Sequence, residues 1–234
     1  MMFRFVLVVC VVLLGLAGCS SEPDATDYFP LDKGLSWEYR VTNTAKQEQG
    51  AYRVTNAGTT EVADETATIR RSDERDYYLV RKPDGIYRYA TRTLFEGEPV
   101  VDEPPRLVLP LPFDDMERRW SAKTVSYVIY RTGPSTITTE ERPAQEFLMH
   151  YRVVSADETV TVPAGTFTDC LLVEGVATLN MFADPLTGFA DVPVVTREWY
   201  APGVGLVKLE REEPLKTRVF RGGSYLFELI DVGE

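Results

Sequence analysis

Apolar and polar positions alternate along most of the chain. "SWEYRVT" sets Trp37, Tyr39 and Val41 against Glu38, Arg40 and Thr42, the two-residue period of a strand with one buried and one wet face. "DYYLVRKPDGIYRYATR" predicts a hairpin: Tyr77 to Arg81 and Ile86 to Arg92 flank Lys82-Pro83-Asp84-Gly85, with proline and glycine where a type I turn accepts them. "TVSYVIYR" aligns Val125, Tyr127 and Ile129 on one side, and "FLMHYRVV" sets Phe147, Met149, Tyr151 and Val153 against Leu148, His150, Arg152 and Val154. In "RVFRGGSYLFELI", Gly222-Gly223 separates two alternating runs and predicts another hairpin. Helical spacing is confined to "FDDMERRW", where Phe113, Met116 and Trp120 recur after a proline and Asp114 and Asp115 suit a first turn.

The expected fold is therefore all-β and antiparallel, with about a dozen strands and at most short helices. A sheet of that size should curve into a half-barrel or divide into two packed sheets. Val162-Pro163-Ala164-Gly165 and Ala201-Pro202-Gly203-Val204 read as tight turns, the second of type II with glycine at positive φ. The first delivers Phe167 to the next strand, and Phe167, Trp199 and Leu206 are expected as core anchors. "YFPLDKGLSWEY" and "LPFDDMERRWSA" share a loose pattern of proline, acid and tryptophan. A duplication would divide the body into two lobes near residue 105, where Glu103-Pro104-Pro105 should break any strand.

The first eighteen residues follow a different logic. Arg4 precedes an unbroken apolar stretch from Phe5 to Leu14, and small residues follow at Gly15, Ala17 and Gly18, the layout of a secretory signal too short to span a membrane. Leu16-Ala17-Gly18-Cys19 then resembles the bacterial lipobox. That resemblance implies cleavage between Gly18 and Cys19, a diacylglycerol on the Cys19 sulfur and acylation of its freed amine. Each buried methylene contributes about 0.8 kcal/mol, so two or three acyl chains hold a protein stably where one does not. Residues 19–27 would form a flexible tether spanning about 15 Å on average, and residues 28–234 a β-rich body close to the membrane. Ser20 stands where an aspartate commonly retains such proteins in an inner membrane, so the resemblance favours the outer membrane and its periplasmic face.

Three further stretches, "DYFPLDKGLSWEYRV", "VTVPAGTFTDCLLVE" and "EWYAPGVGLVKLE", resemble phrases of uncharacterised bacterial secreted proteins and lipoproteins. That likeness implies no activity. A curved sheet behind a lipobox is similar in architecture to the lipoprotein-carrier and outer-membrane-receptor half-barrels, a likeness of shape and not of function.

Charge and cysteine content narrow the partners. Removing residues 1–18 takes only Arg4 from the 25 basic residues, leaving 24 against 36 acidic ones, a balance of −12. That sign repels nucleic acid and anionic headgroups, so membrane contact is expected through acylated Cys19 alone. Cys10 leaves with the signal and Cys19 takes lipid, so Cys170 has no disulfide partner in the chain.

Groups for catalysis are few. His150 is the sole histidine, placed beside Arg152 on a polar-leaning face as a surface residue. A Cys170–His150 nucleophile pair would need an orienting group and an oxyanion pocket that the sequence does not mark. Cys170 opens the apolar run "CLLV" and reads as a small core residue. One histidine and one thiol cannot build a common zinc site, and no phosphate or calcium loop matches, so no cofactor or metal is expected. Two function classes follow. The favoured one is a non-catalytic binding or structural module of the cell envelope, for an apolar ligand or an envelope protein partner. The other is an envelope hydrolase using two carboxylates.

Overall fold

The structure is a computed structural model that describes residues 26–112, 118–132 and 145–233. The signal segment, Gly18, Cys19 and the tether up to residue 25 lie outside the described residues. So do Phe113, Asp114, Asp115 and Met116 of the expected helix. The described residues contain strands and no helix: β1 (Ser36–Asn43), β2 (Glu48–Val62), β3 (Glu65–Ser72), β4 (Arg75–Lys82), β5 (Gly85–Thr93), β6 (Val100–Pro110), β7 (Arg119–Val125), β8 (Tyr130–Arg131), β9 (Glu146–Val162), β10 (Gly165–Asp184), β11 (Gly188–Ala201), β12 (Gly205–Lys216) and β13 (Phe220–Gly233).

All pairings are antiparallel, and the strands form one sheet in the order β6-β5-β4-β3-β2-β1-β13-β12-β11-β10-β9-β7, with β8 pairing β13. Thus β1 to β6 meander outward on one side, and β9 to β13 meander back on the other. The seam between the two meanders is β1 against β13, from Ser36 opposite Gly233 to Asn43 opposite Tyr225. The far edges β6 and β7 approach each other, so the sheet nearly closes into a barrel. Arg118 ties that gap: Nη1 donates to the Leu111 carbonyl at 3.0 Å and Nη2 to the Asp84 carbonyl at 2.9 Å.

The alternation of the sequence is realised where one face is buried. Trp37, Tyr39 and Val41 are buried in β1 while their neighbours are half-exposed. Met149, Tyr151 and Val153 are buried in β9 while Leu148, His150 and Arg152 are exposed. Lys82 pairs with Gly85 around Pro83-Asp84, and Val162 pairs with Gly165 around Pro163-Ala164, so both expected turns form. At the third, Gly203 has φ of 72° and Val204 N–H donates to the Ala201 carbonyl at 3.2 Å.

Four local expectations need correction. Gly222-Gly223 lies inside β13, and the turn falls at Thr217 to Phe220, closed by Thr217 N–H on the Phe220 carbonyl. The glycines are required by close backbone approach. A Cβ on Gly222 would stand 1.9 Å from the Glu213 carbonyl oxygen, and one on Gly223 would stand 2.8 Å from the Ala45 nitrogen. "TVSYVIYR" is not one strand: β7 ends at Val125, β8 starts at Tyr130, and the backbone between them is bonded to a carboxylate, as described below. Glu103-Pro104-Pro105 interrupts no strand. It falls in β6 where the pairing with β5 slips opposite Tyr89, on a sheet edge where a missing N–H breaks no ladder bond. Finally, Trp120 belongs to β7 and stacks on Tyr151 of β9 at 5.4 Å between ring centroids.

A cavity inside the sheet

The concave side of the sheet holds a half-open cavity of about 310 Å³. Its apolar wall comes from Phe29 before β1, Tyr77 and Leu79 of β4, Leu107 and Val108 of β6, Trp120 of β7 and Tyr151 of β9. Its polar wall comes from Arg70 of β3, Arg88 of β5, Arg106 of β6, Glu198 of β11 and Arg211 of β12. The segment from Asp27 to Asp32 is tied down beneath it. Asp27 accepts from Arg81 at 2.6 Å, the Phe29 carbonyl accepts from Arg81 at 2.8 Å, and the Pro30 carbonyl accepts from Arg70 at 2.7 Å.

Glu198 reaches the interior because β11 keeps strict alternation: Val192, Val194, Thr196, Glu198 and Tyr200 share one face, and all but Glu198 are buried to 4% exposure or less. Glu198 accepts a hydrogen bond from the Tyr200 hydroxyl at 2.5 Å. The surface it retains opens on the cavity, and protein surrounds it. Burial raises its pKa above the ordinary carboxylate value, against the opposing pull of the Tyr200 hydroxyl, Arg106 and Arg211. The same holds for Tyr127, which is 44% exposed yet faces the cavity and has its phenol pushed upward by burial. Arg70 is drawn down to about 10 by burial. Its guanidinium lies 4.3 Å from the Phe29 ring and 4.7 Å from the Trp37 ring.

Because the folded protein holds the Glu198 proton more tightly than the unfolded chain, this group's contribution to stability is fullest below the unfolded carboxylate pKa. It is lost as pH rises through the raised value. Glu198→Gln is therefore expected to raise the thermal midpoint more at pH 8 than at pH 4. Midpoints that run parallel across that range would remove the buried-carboxylate assignment.

A second polar group sits deeper. Arg211 is 2% exposed and Glu213 is fully buried. Arg211 Nε donates to Glu213 Oε1 at 2.9 Å, Nη1 to Thr196 Oγ1 at 3.1 Å and Nη2 to the Val125 carbonyl at 3.2 Å. Glu213 also accepts from Ser126 Oγ at 2.6 Å and from the backbone N–H groups of Tyr127, Val128 and Ile129 at 3.4, 3.1 and 3.2 Å. This is why residues 126–129 leave the sheet: their N–H groups converge on a carboxylate instead of a neighbouring strand, and Tyr127 is thereby presented to the cavity.

The residues singled out from sequence fall elsewhere. His150 is on the exposed face of β9, with Nδ1 2.8 Å from Ser121 Oγ, in a second depression with Arg119, Arg152 and Glu174. Cys170 is buried in a different cluster, with Leu35, Trp37 and Leu229. Burial, with Asp169 and Glu158 nearby, pushes its thiol up to about 11. In the β9–β10 pairing Cys170 stands opposite Glu158, whereas His150 stands opposite Val176, a separation of about 20 Å along the strand. No Cys170–His150 pair forms. Phe167, Trp199 and Leu206 are half-buried and pack against the core from its margin. Sequence reasoning passed over Glu198, Arg211 and Glu213. The available signal was a charged residue on the buried parity of a strand, in "VPVVTREWY" and again in "LVKLEREEP".

Residues 131–214 match the DUF3108-like family. The DUF3108-like segment runs from β8 into β12 and carries Glu198, Arg211 and Glu213. Two solved structures are similar to the chain. One, provisionally described as a lipoprotein from Parabacteroides distasonis, has 16% identity and a TM-score of 0.38, covering 89% of this chain and 99% of that one. The other, provisionally described as an exported protein with a YmcC-like fold from Bacteroides fragilis, has 14% identity and a TM-score of 0.37, covering 88% and 98%. No curated protein matches the chain.

Proposed function

We propose that the protein is a lipid-anchored envelope lipoprotein, acylated at Cys19, whose sheet holds an apolar ligand in the half-open cavity on its concave side. The observation that carries the reading is the cavity itself. Ligand sites are concave, lined by apolar and aromatic side chains with a few placed polar groups, and measure about 300–1,000 Å³, which matches this one in size and lining. The lipobox resemblance supports the anchor, and Ser20 supports an outer-membrane address facing the periplasm.

The carboxylate hydrolase is the weaker reading, because glycoside-type chemistry needs two carboxyls flanking one bond. Glu198 is the single carboxylate lining the cavity among the described residues. Asp102 and Glu213, the nearest by connectivity, are each bonded to an arginine.

Both halves of the proposal are tested on protein purified from its own cell envelope. The chain is expected to incorporate labelled palmitate and partition with membranes, and Cys19→Ser to lose both. Native mass spectrometry of the released Cys19→Ser chain is expected to show a stoichiometric small molecule recoverable by lipid extraction. Continued labelling would overturn the anchor. An empty cavity would overturn the ligand and turn attention to an envelope protein partner.

A further inference from the structure

We propose that the cavity ligand is an amphiphile with an anionic head, a carboxylate or phosphate monoester, seated at Arg106 and the Tyr151 hydroxyl. This rests on the cavity being a ligand site and names the chemical class that the site selects.

Arg88 of β5 and Arg106 of β6 stand directly opposite each other in the sheet, and like charges so placed destabilise a strand pair. Arg88 is relieved by a two-pronged contact with Asp102, at 2.6 and 2.7 Å. Arg106 is not. Among the described residues no carboxylate lies within ion-pair distance of Arg106 or Arg70, while Arg211 is neutralised by Glu213. With those two pairs set aside, the lining holds two guanidinium groups against Glu198 alone.

Arg70 and Arg106, the two lining guanidinium groups with no carboxylate partner among the described residues, are not equivalent. Arg70 already spends Nε on Asn56 Oδ1 at 3.0 Å and Nη2 on the Pro30 carbonyl, and aromatic rings cover its faces. It supplies charge but little donor capacity. Arg106 shares the lining with Tyr151, and among the described residues its planar fork has no carboxylate partner, which suits it to a bidentate anion. Leu107, Val108 and Trp120 continue the lining beside it, which gives an apolar tail its contact. A neutral ligand would desolvate Arg106 with Glu198, already bonded to the Tyr200 hydroxyl, as the sole opposing charge in the lining, and a cationic one would meet two like charges.

The test uses the full chain carrying Cys19→Ser, exported and purified without detergent, with calorimetric titration of decanoate, decyl phosphate, decanol and decylamine. At least one of the two anions is expected to bind about 10- to 100-fold more tightly than decanol, the span of one charge-assisted hydrogen bond, and decylamine to bind weakest. The tighter anion names the head. Arg106→Gln is expected to erase the difference between the anions and decanol, and Arg106→Lys to restore part of it. Equal binding of all four, or preference for decylamine, would overturn the anionic head and leave the cavity reading standing. Binding of none of them would overturn the cavity reading as well.

Discussion

Glu213→Ala is expected to lower the unfolding free energy by about 3–5 kcal/mol, the range for removing one partner of a buried ion pair. Two consequences combine at this position. Arg211 would remain in the interior with no carboxylate beside it, and three backbone N–H groups and the Ser126 hydroxyl would lose their shared acceptor. Residues 126–129 would then have no reason to hold their present course, and Tyr127 would be withdrawn from the cavity wall. Urea denaturation followed by tryptophan fluorescence measures the loss, and a change below about 1 kcal/mol would show that water replaces the carboxylate at little cost. An apolar pair, Arg211→Met with Glu213→Leu, should recover much of the stability. It should not restore the placement of Tyr127, so ligand binding would stay impaired.

Gly222→Ala is expected to be destabilising by about 3 kcal/mol, at or beyond the upper end for overpacked sites. The added methyl would meet the Glu213 carbonyl oxygen and the Leu215 nitrogen, at 1.9 and 2.7 Å. Both are backbone atoms that no rotamer change can move aside. Relief requires β12 and β13 to separate where their pairing slips between Glu213 and Lys216, which drags the Glu213 side chain from its donors. Gly97→Ala, where a Cβ meets nothing within 4 Å, is the control that should cost little. Similar midpoints for the two variants in urea would show that the strand pair adapts.

The parts of this structure legible in the sequence are those governed by local rules. Strand period was visible in Trp37-Tyr39-Val41 and in Met149-Tyr151-Val153 because each strand has one dry face. The turns at Pro83-Asp84 and Pro163-Ala164 were visible because proline and glycine carry backbone preferences with them. The hairpin assigned to Gly222-Gly223 failed for the complementary reason. Glycine marks either a turn or a close approach, and which of these holds depends on Glu213 and Ala45, residues remote in sequence. The site was less legible still. His150 and Cys170 attract attention by chemical type, but the sheet places them on different faces and far apart. Glu198 and Arg106 are ordinary by type and become notable only when β6 and β11 face each other across the cavity.

The seam between β1 and β13 bears on how the barrel is made. Among the described residues, the strands that neighbour each other at the middle of the sheet are the first and the last in chain order, Ser36 lying opposite Gly233. Chains dominated by such distant pairings fold slowly, since a long loop must close before its contacts form. As the polypeptide emerges, β1 must wait beside β2 with an unpaired edge, and the returning meander from β9 to β12 must wait with another. Such edges invite pairing with other chains. The fourteen residues of β13 cover both at once, so its docking is the event that joins two aggregation-prone meanders into one sheet, with β6 and β7 at its ends.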